Sequence, residues 1–121
     1  MTDPSLYERV GGDAIVMPAV ALFYRRVQDD PVLSSYFVGV DMARLRAHQQ
    51  AFLAAALGGP TMFCGRPVEV AHKGMGIDDE AFDAMVDHLI CALCDLGLDP
   101  GTAAEVAPEL EHLREKIVDP G

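Results

Sequence analysis

Apolar residues recur at a helical period along most of the chain, so the pattern predicts amphipathic helices. The first helix is short: Asp3-Pro4 offers an N-cap followed by a first-turn proline, and Gly11-Gly12 ends the pattern. A second helix is predicted over about residues 15–28, with Pro18 near its first turn because a deeper proline would cost a backbone hydrogen bond. Its apolar stripe contains Val16, Ala19, Val20, Phe23, Tyr24 and Val27.

Helix-breaking residues divide the middle of the chain in the same way. Asp30-Pro31 breaks the pattern before a short turn that carries Leu33, Tyr36 and Phe37. Asp41 can cap a third helix that continues to about Leu57 and stops at Gly58-Gly59-Pro60. After an irregular stretch, Pro67 fits the start of a short helical segment that carries His72.

Two further helices are predicted towards the C-terminus. One runs from about Asp79 to Leu96 and is closed by Gly97, and the other opens at Asp99-Pro100. The buried positions are predicted to be Phe82, Met85, Val86, Leu89, Ile90 and Leu93 in the first and Val106, Leu110, Leu113 and Ile117 in the second. No segment shows sustained alternation of period two, so the predicted fold class is all-α, in a single domain spanning residues 1–121.

Charge and composition limit the classes of binding partner and indicate the cellular compartment. The net charge of −10 argues against nucleic acid or an anionic membrane as a partner. No apolar run reaches transmembrane length, and the polar N-terminus with Pro4 is unlike a signal peptide. Three cysteines give no disulfide framework, which suits a reducing cytoplasm. Cys91 and Cys94 have the spacing of a redox motif but lie inside a helical pattern, so we expect them to be buried structural thiols.

Three polar side chains are predicted to point into the apolar core. His72 shares a helical face with Val68 and Ala71, and a neutral imidazole there needs a partner, either a backbone carbonyl or a metal ion. Tyr24 belongs to the stripe of the second helix, and Gln49 lies within the apolar stripe of the third. Each of the three has an ordinary structural explanation when taken singly, but together they indicate a polar site inside the core.

Several motifs, in this order, resemble the group I truncated haemoglobins. The matching segments are LYERVGG at 6–12, FYRRV at 23–27, FVGVDMAR at 37–44, HQQAFL at 48–53, GGP at 58–60 and AHKG at 71–74. The family's glycine-rich turn before the proximal helix matches less closely and is represented by Gly65. The resemblance implies a truncated globin fold, a two-over-two helical sandwich around one noncovalently bound haem b per chain.

The resemblance also assigns roles to individual residues. It places His72 at the proximal histidine that binds the haem iron, and Phe37 at the phenylalanine that packs on the haem face. Tyr24 and Gln49 fall on the distal tyrosine and glutamine that donate hydrogen bonds to a gas ligand. Leu45 takes the place of the distal histidine of vertebrate globins.

Further haem contacts follow from the same comparison of motifs. Arg44 matches a basic residue that pairs with a haem propionate, and Lys73 either assists it or is a solvated surface lysine. Met42, Phe52, Phe82 and Met85 are the remaining residues that we expect to contact haem. Leu53 stands where members often carry a phenylalanine that gates a ligand tunnel, so the resemblance leaves gating at this position open.

Two histidines leave the iron chemistry open. In some cyanobacterial members a histidine at the place of His48 is a second, internal iron ligand, and the alternative is a surface histidine beside Arg44. Helical phase permits both orientations. A covalent haem link from a C-terminal histidine also occurs in such members, but His112 is one position away from that site.

The function implied by the resemblance is reversible binding of dioxygen and other diatomic gases, such as nitric oxide and carbon monoxide, at a histidine-ligated iron. An enzymatic role, the dioxygenation of nitric oxide with electrons from a reductase, shares the same site, so the sequence leaves it open. The alternative is a hexacoordinate haem protein for electron transfer or redox signalling, with His48 as the sixth ligand.

Overall fold

The computed structural model describes residues 4–59 and 76–118. Within these ranges the chain forms six α-helices and one 3-10 helix, with no β-strand. In chain order they are α1 (Leu6–Val10), α2 (Asp13–Asp29), a 3-10 helix (Ser34–Phe37), α3 (Met42–Ala56), α4 (Asp79–Asp95), α5 (Pro100–Glu111) and α6 (Arg114–Ile117). The all-α prediction is confirmed.

Most helix ends lie where the capping residues predict them. The carboxylate of Asp41 accepts the backbone N–H of Arg44 at 3.2 Å, and the carboxylate of Asp99 accepts that of Thr102 at 3.0 Å. Gly11, with φ of 123°, ends α1 in a backbone conformation that strongly favours glycine. The local sequence therefore sets these boundaries.

The predicted start of α1 is wrong. Ser5 is its N-cap and accepts the N–H of Glu8 at 3.2 Å, so Pro4 precedes the helix rather than lying in its first turn. Asp3 lies outside the described residues.

Pro18 lies deeper in α2 than predicted. The helix begins at Asp13, which makes Pro18 its sixth residue. Proline cannot donate to the carbonyl one turn earlier, at Ala14. Both Ala14 and Pro18 are exposed, so water can take the place of the missing donor, and the helix tolerates the proline there.

The helix pair α2–α3 lies over the pair α4–α5. Helix α2 packs against both α3 and α4, and α5 packs against α4 and α1. The main core cluster contains Val16, Val20 and Leu93, all 2% exposed or less, and Tyr24 and Leu53 also belong to it. A second cluster joins the end of α2 to the start of α4 through Val27, Leu33, Ile77, Ala81 and Phe82. This is the predicted two-over-two arrangement.

Two expectations for the C-terminal helices are corrected. Cys91 and Cys94 are exposed rather than buried, because the inward face of α4 is formed by Leu89, Ala92 and Leu93. The last predicted helix is divided by a turn at His112-Leu113 into α5 and α6. Across the two described ranges, no helix is both long and apolar enough to span a bilayer.

Candidate functional site

A cavity of about 640 Å³ lies between the two helix pairs. Its lining is mainly apolar, and six aromatic rings face it: Phe23, Tyr24, Tyr36, Phe37, Phe52 and Phe82. The volume is within the range of about 300–1,000 Å³ that is typical of sites for small organic ligands and cofactors. The cavity can therefore hold a large apolar group.

Tyr24, on α2, is the most deeply buried polar residue that lines the cavity. It is 4% exposed, and burial raises the pKa of its phenol well above the usual value. Its hydroxyl forms no hydrogen bond with another described residue, although the cavity wall offers it an open side. The oxygen atom itself is therefore accessible from the cavity, where it can donate a hydrogen bond to a bound ligand.

One face of α3 supplies another part of the cavity wall. Leu45, Gln49 and Phe52 follow one another at helical spacing and all line the cavity. Gln49 is half-buried, so an amide is presented at the edge of an otherwise apolar surface. Leu53, which is 5% exposed, also reaches the cavity.

Arg44 and His48 lie on α3 where the cavity meets solvent. Both residues are exposed and both line the cavity. Arg44 forms no ion pair with any other residue in the two described ranges. A guanidinium that is not paired with a protein carboxylate can pair with a carboxylate of a bound group.

The 3-10 helix brings two aromatic rings to the cavity. Phe37 lines it and meets the ring of Tyr24 edge-to-face, with centroids 5.7 Å apart. The hydroxyl of Tyr36 donates to the carbonyl oxygen of Gly76 at 3.1 Å, which ties this helix to the segment that precedes α4. Tyr36 was not among the predicted site residues, although its place beside Phe37 in the predicted turn was a signal for it.

Helix α4 contributes Phe82 and Met85 to the cavity, as the helical pattern suggests. The guanidinium carbon of Arg114 lies 4.6 Å from the centroid of the Phe82 ring, on the side of α6. Leu110, Leu113 and Ile117 complete the lining from α5 and α6. The sequence pattern places these three residues on one apolar face, but it does not identify them as lining residues.

Three predicted haem contacts are not among the residues found to line the cavity. Met42 is half-buried against the main core cluster and is not among the residues that line the cavity. His72 and Lys73 lie outside the described residues, so their predicted roles stay predictions. Within the described ranges, no cluster of three or more histidine, cysteine or acidic residues could hold a metal ion.

These residues fit a haem. The cavity is large and mainly apolar, as the porphyrin requires, and Arg44 is placed to meet a propionate. The hydroxyl of Tyr24 faces a space where a small polar ligand would satisfy it. The fit rests on the walls of the cavity and on these two donors.

Comparison with known proteins identifies the family of this chain. Residues 5–119 match the model of the bacterial-like globin family. A group 1 truncated haemoglobin from Synechocystis sp. is 42% identical over 107 residues, which are 85% of this chain and 86% of that protein.

Solved structures show the same likeness. The ferric truncated haemoglobin of Tetrahymena pyriformis superposes with a TM-score of 0.92 at 34% identity, covering 95% of this chain and 98% of that one. A 2/2 haemoglobin of Synechococcus sp., solved in the cyanomet state with covalently attached haem, superposes with a TM-score of 0.87 at 34% identity and the same coverage. The chain therefore belongs to the bacterial-like globin family, as a group 1 truncated haemoglobin with one haem per chain.

Proposed function

We propose that this protein binds dioxygen reversibly, with nitric oxide and carbon monoxide as alternative ligands. Bound haem supplies an iron atom with a coordination position that accepts a diatomic gas. The observation that carries the proposal is the hydroxyl of Tyr24: the residue is buried, but its oxygen opens onto the cavity and has no hydrogen-bond partner among the described residues.

Tyr24 is suited to act as a hydrogen-bond donor. Burial raises the pKa of its phenol, so the hydroxyl keeps its proton throughout the physiological pH range. A neutral phenol donates to an acceptor that carries partial negative charge, and dioxygen bound to ferrous iron is such an acceptor. Tyr24 would therefore retain dioxygen more strongly than a less polar ligand.

Gln49 is the second donor in this proposal. Its side chain lines the same cavity as that of Tyr24, from the adjacent helix α3, so its amide N–H group would donate to the same ligand. Leu45 and Phe52 make this face of α3 apolar, and apolar surroundings strengthen a hydrogen bond. His72 is proposed as the axial ligand on the other side, on the strength of the matching motif in the sequence.

An absorption spectrum tests the proposal. Haem-loaded protein is reduced under argon and then exposed in turn to dioxygen and to carbon monoxide. We expect each gas to give a distinct spectrum, and removal of dioxygen to restore the ferrous form through several cycles. Immediate oxidation to the ferric form on contact with dioxygen would contradict reversible binding.

Dioxygenation of nitric oxide would use the same site. Nitric oxide, dioxygen and one electron together give nitrate, so turnover needs a reductase or another electron donor. The cavity meets solvent beside Arg44, and this opening would admit a second gas. Stoichiometric nitrate from oxygenated protein and nitric oxide would support this activity, and reversible binding of nitric oxide without nitrate would exclude it.

His48 favours a second candidate function. Its side chain lines the cavity from α3, one residue before Gln49. If its imidazole bound the iron, the gas site would be closed for part of the time and electron transfer would be the better role. The spectrum of the ligand-free ferrous protein separates the two functions, since internal ligation gives a six-coordinate low-spin form.

A further inference from the structure

Asp30 organises the turn between α2 and the 3-10 helix. One carboxylate oxygen, Oδ1, accepts the backbone N–H of Val32 at 2.9 Å. Its carbonyl oxygen accepts the N–H groups of Leu33 at 3.0 Å and of Ser34 at 2.8 Å. The position of this single residue therefore sets how the chain enters the 3-10 helix.

His88, on α4, holds the same carboxylate. Its Nε2 lies 2.7 Å from Oδ2 of Asp30, and both side chains are only about one-fifth exposed. Its other ring nitrogen, Nδ1, accepts the Nε–H of Arg26 at 3.3 Å. Because an arginine nitrogen can only donate, the proton of the neutral ring is placed on Nε2, from which it is donated to Asp30.

The segment held in this way forms part of the cavity wall. Leu33 is fully buried against Ile77 and Phe82, and Tyr36 and Phe37 line the cavity. At its far end the hydroxyl of Tyr36 donates to the carbonyl oxygen of Gly76. The 3-10 helix is therefore held at both ends, by Asp30 at the end nearer to α2 and by Tyr36 at the other, and His88 contacts Asp30.

We propose that His88 is a positioning residue of the haem site: through Asp30 it sets the position of the 3-10 helix and hence of Phe37 against the haem. The inference rests on the cavity holding haem, and not on which gas the iron binds. His88 does not line the cavity, so its effect must pass through the turn at Asp30.

The test uses the full haem-loaded protein and compares four variants. His88→Leu removes the donor, whereas His88→Gln keeps an N–H near the position of Nε2. Asp30→Asn removes the charged acceptor and serves if His88→Leu does not fold. Asp87→Asn is the matched control, because this exposed residue is next to His88 on α4, does not line the cavity and is not the hydrogen-bond partner of Asp30.

Two measurements report on the site itself. The first is the rate of haem transfer to an excess of apomyoglobin, and the second is the set of haem-methyl proton shifts in the ferric cyanide form. We expect His88→Leu and Asp30→Asn each to speed haem loss by about five- to tenfold and to move the methyl shifts, since a hydrogen bond to a charged group is lost. His88→Gln should stay within about twofold of the wild type, and Asp87→Asn should match the wild type.

The double variant with both His88→Leu and Asp30→Asn separates positioning from general destabilisation. If His88 acts through Asp30, the double variant loses haem no faster than either single variant. Additive effects, failure of His88→Gln to restore the rate, or unchanged methyl shifts in His88→Leu would each overturn the inference. None of these results bears on reversible dioxygen binding, which the spectra test separately.

Discussion

The ring of Tyr24 meets the ring of Phe37 edge-to-face, with centroids 5.7 Å apart and planes at 79°. It also contacts Phe23, with centroids 4.8 Å apart. The aromatic ring of Tyr24 is therefore held by packing and not by its hydroxyl. Replacement by phenylalanine keeps these contacts, so it tests the hydroxyl alone.

Tyr24→Phe should speed dioxygen release by about one to two orders of magnitude, because a donor to a charged acceptor in a dry pocket contributes roughly 1–3 kcal/mol. Carbon monoxide is less polar when bound and should respond much less. Flash photolysis and stopped-flow ligand replacement give both rates. Tyr7→Phe is the control, since the Tyr7 hydroxyl bonds to Asp13 at 2.8 Å and does not line the cavity. Equal acceleration for the two gases would contradict the hydrogen-bond mechanism.

His72→Ala should remove the axial bond and most of the retained haem. The motif around His72 in the sequence is the basis for this prediction. Haem content after gel filtration and the Soret spectrum provide the measurement, and added imidazole should restore part of the binding. Glu109→Ala, at an exposed residue of α5 that does not line the cavity, should behave as the wild type. An unchanged Soret band and haem content in His72→Ala would show that the axial ligand is another residue.

His48→Leu decides whether the gas site is ever closed internally. We expect the ligand-free wild type to contain a measurable six-coordinate low-spin fraction, and the variant to be five-coordinate in the ferrous state. Carbon monoxide binding should then become monophasic and faster, because no internal ligand competes. Gln50→Leu, two residues further along α3 and not among the cavity-lining residues, is the control. A purely five-coordinate ferrous wild type would leave His48 as a residue at the cavity mouth.

Local signals in the sequence were sufficient to predict the helices and much of the cavity wall. The caps at Asp41 and Asp99 act within one helical turn, and the inward faces carrying Tyr24 and Gln49 follow from helical spacing. The prediction that Pro18 lies in the first turn is wrong because the free-energy cost of a proline inside a helix depends on which carbonyl loses its N–H donor. At an exposed carbonyl, which water can reach, that cost is small.

Contacts between distant segments could not be predicted in this way. His88 and Asp30 are 58 residues apart, and Arg114 and Asp79 are 35 apart. The sequence shows that such residues lie on the outer face of a helix, but it does not show which distant residue of opposite charge each one pairs with. Only the packing of α4 against α2 and α6 brings these partners together.

Stability at low pH should depend on Asp30. The hydrogen bond from His88 and that from the N–H of Val32 hold the pKa of this carboxyl below its ordinary value of 3.8. A carboxyl with a lowered folded-state pKa stabilises the protein above its unfolded pKa, and this contribution is lost as pH falls through the folded value.

We therefore expect the difference in unfolding free energy between the wild type and Asp30→Asn to be constant from about pH 7 to pH 5 and to shrink below about pH 4. Urea unfolding of the apoprotein across this range measures it. In the His88→Leu background the pH dependence should weaken. A difference that grows on acidification would contradict the direction of the shift.

Arg114 should stabilise the contact between α6 and α4. Its guanidinium pairs with Asp79 at 2.8 Å, with Glu111 at 2.5 Å and with Asp83, and it also covers the ring of Phe82. Arg114→Met should lower the free energy of unfolding by more than the loss of a single exposed pair does, because several weak pairs and one cation–π contact are lost together.

Arg9→Met is the matched control, because it removes the same charge but only one exposed pair, with Glu105. Arg9→Met should lower the free energy of unfolding by less than about 1 kcal/mol. High salt should narrow the gap between Arg114→Met and the wild type, since screening weakens exposed ion pairs. Equal losses for the two arginines would show that the network adds nothing beyond a single pair.

The thiols of Cys91 and Cys94 are exposed and can react with oxidants and with labelling reagents. In air, they can join two chains through an intermolecular disulfide, so samples kept without reductant should show a dimer band on a non-reducing gel. The same accessibility makes them anchors for a maleimide dye once Cys64 has been changed to serine. Because haem quenches nearby fluorophores, the emission of such a dye would record the entry of haem into the apoprotein in real time.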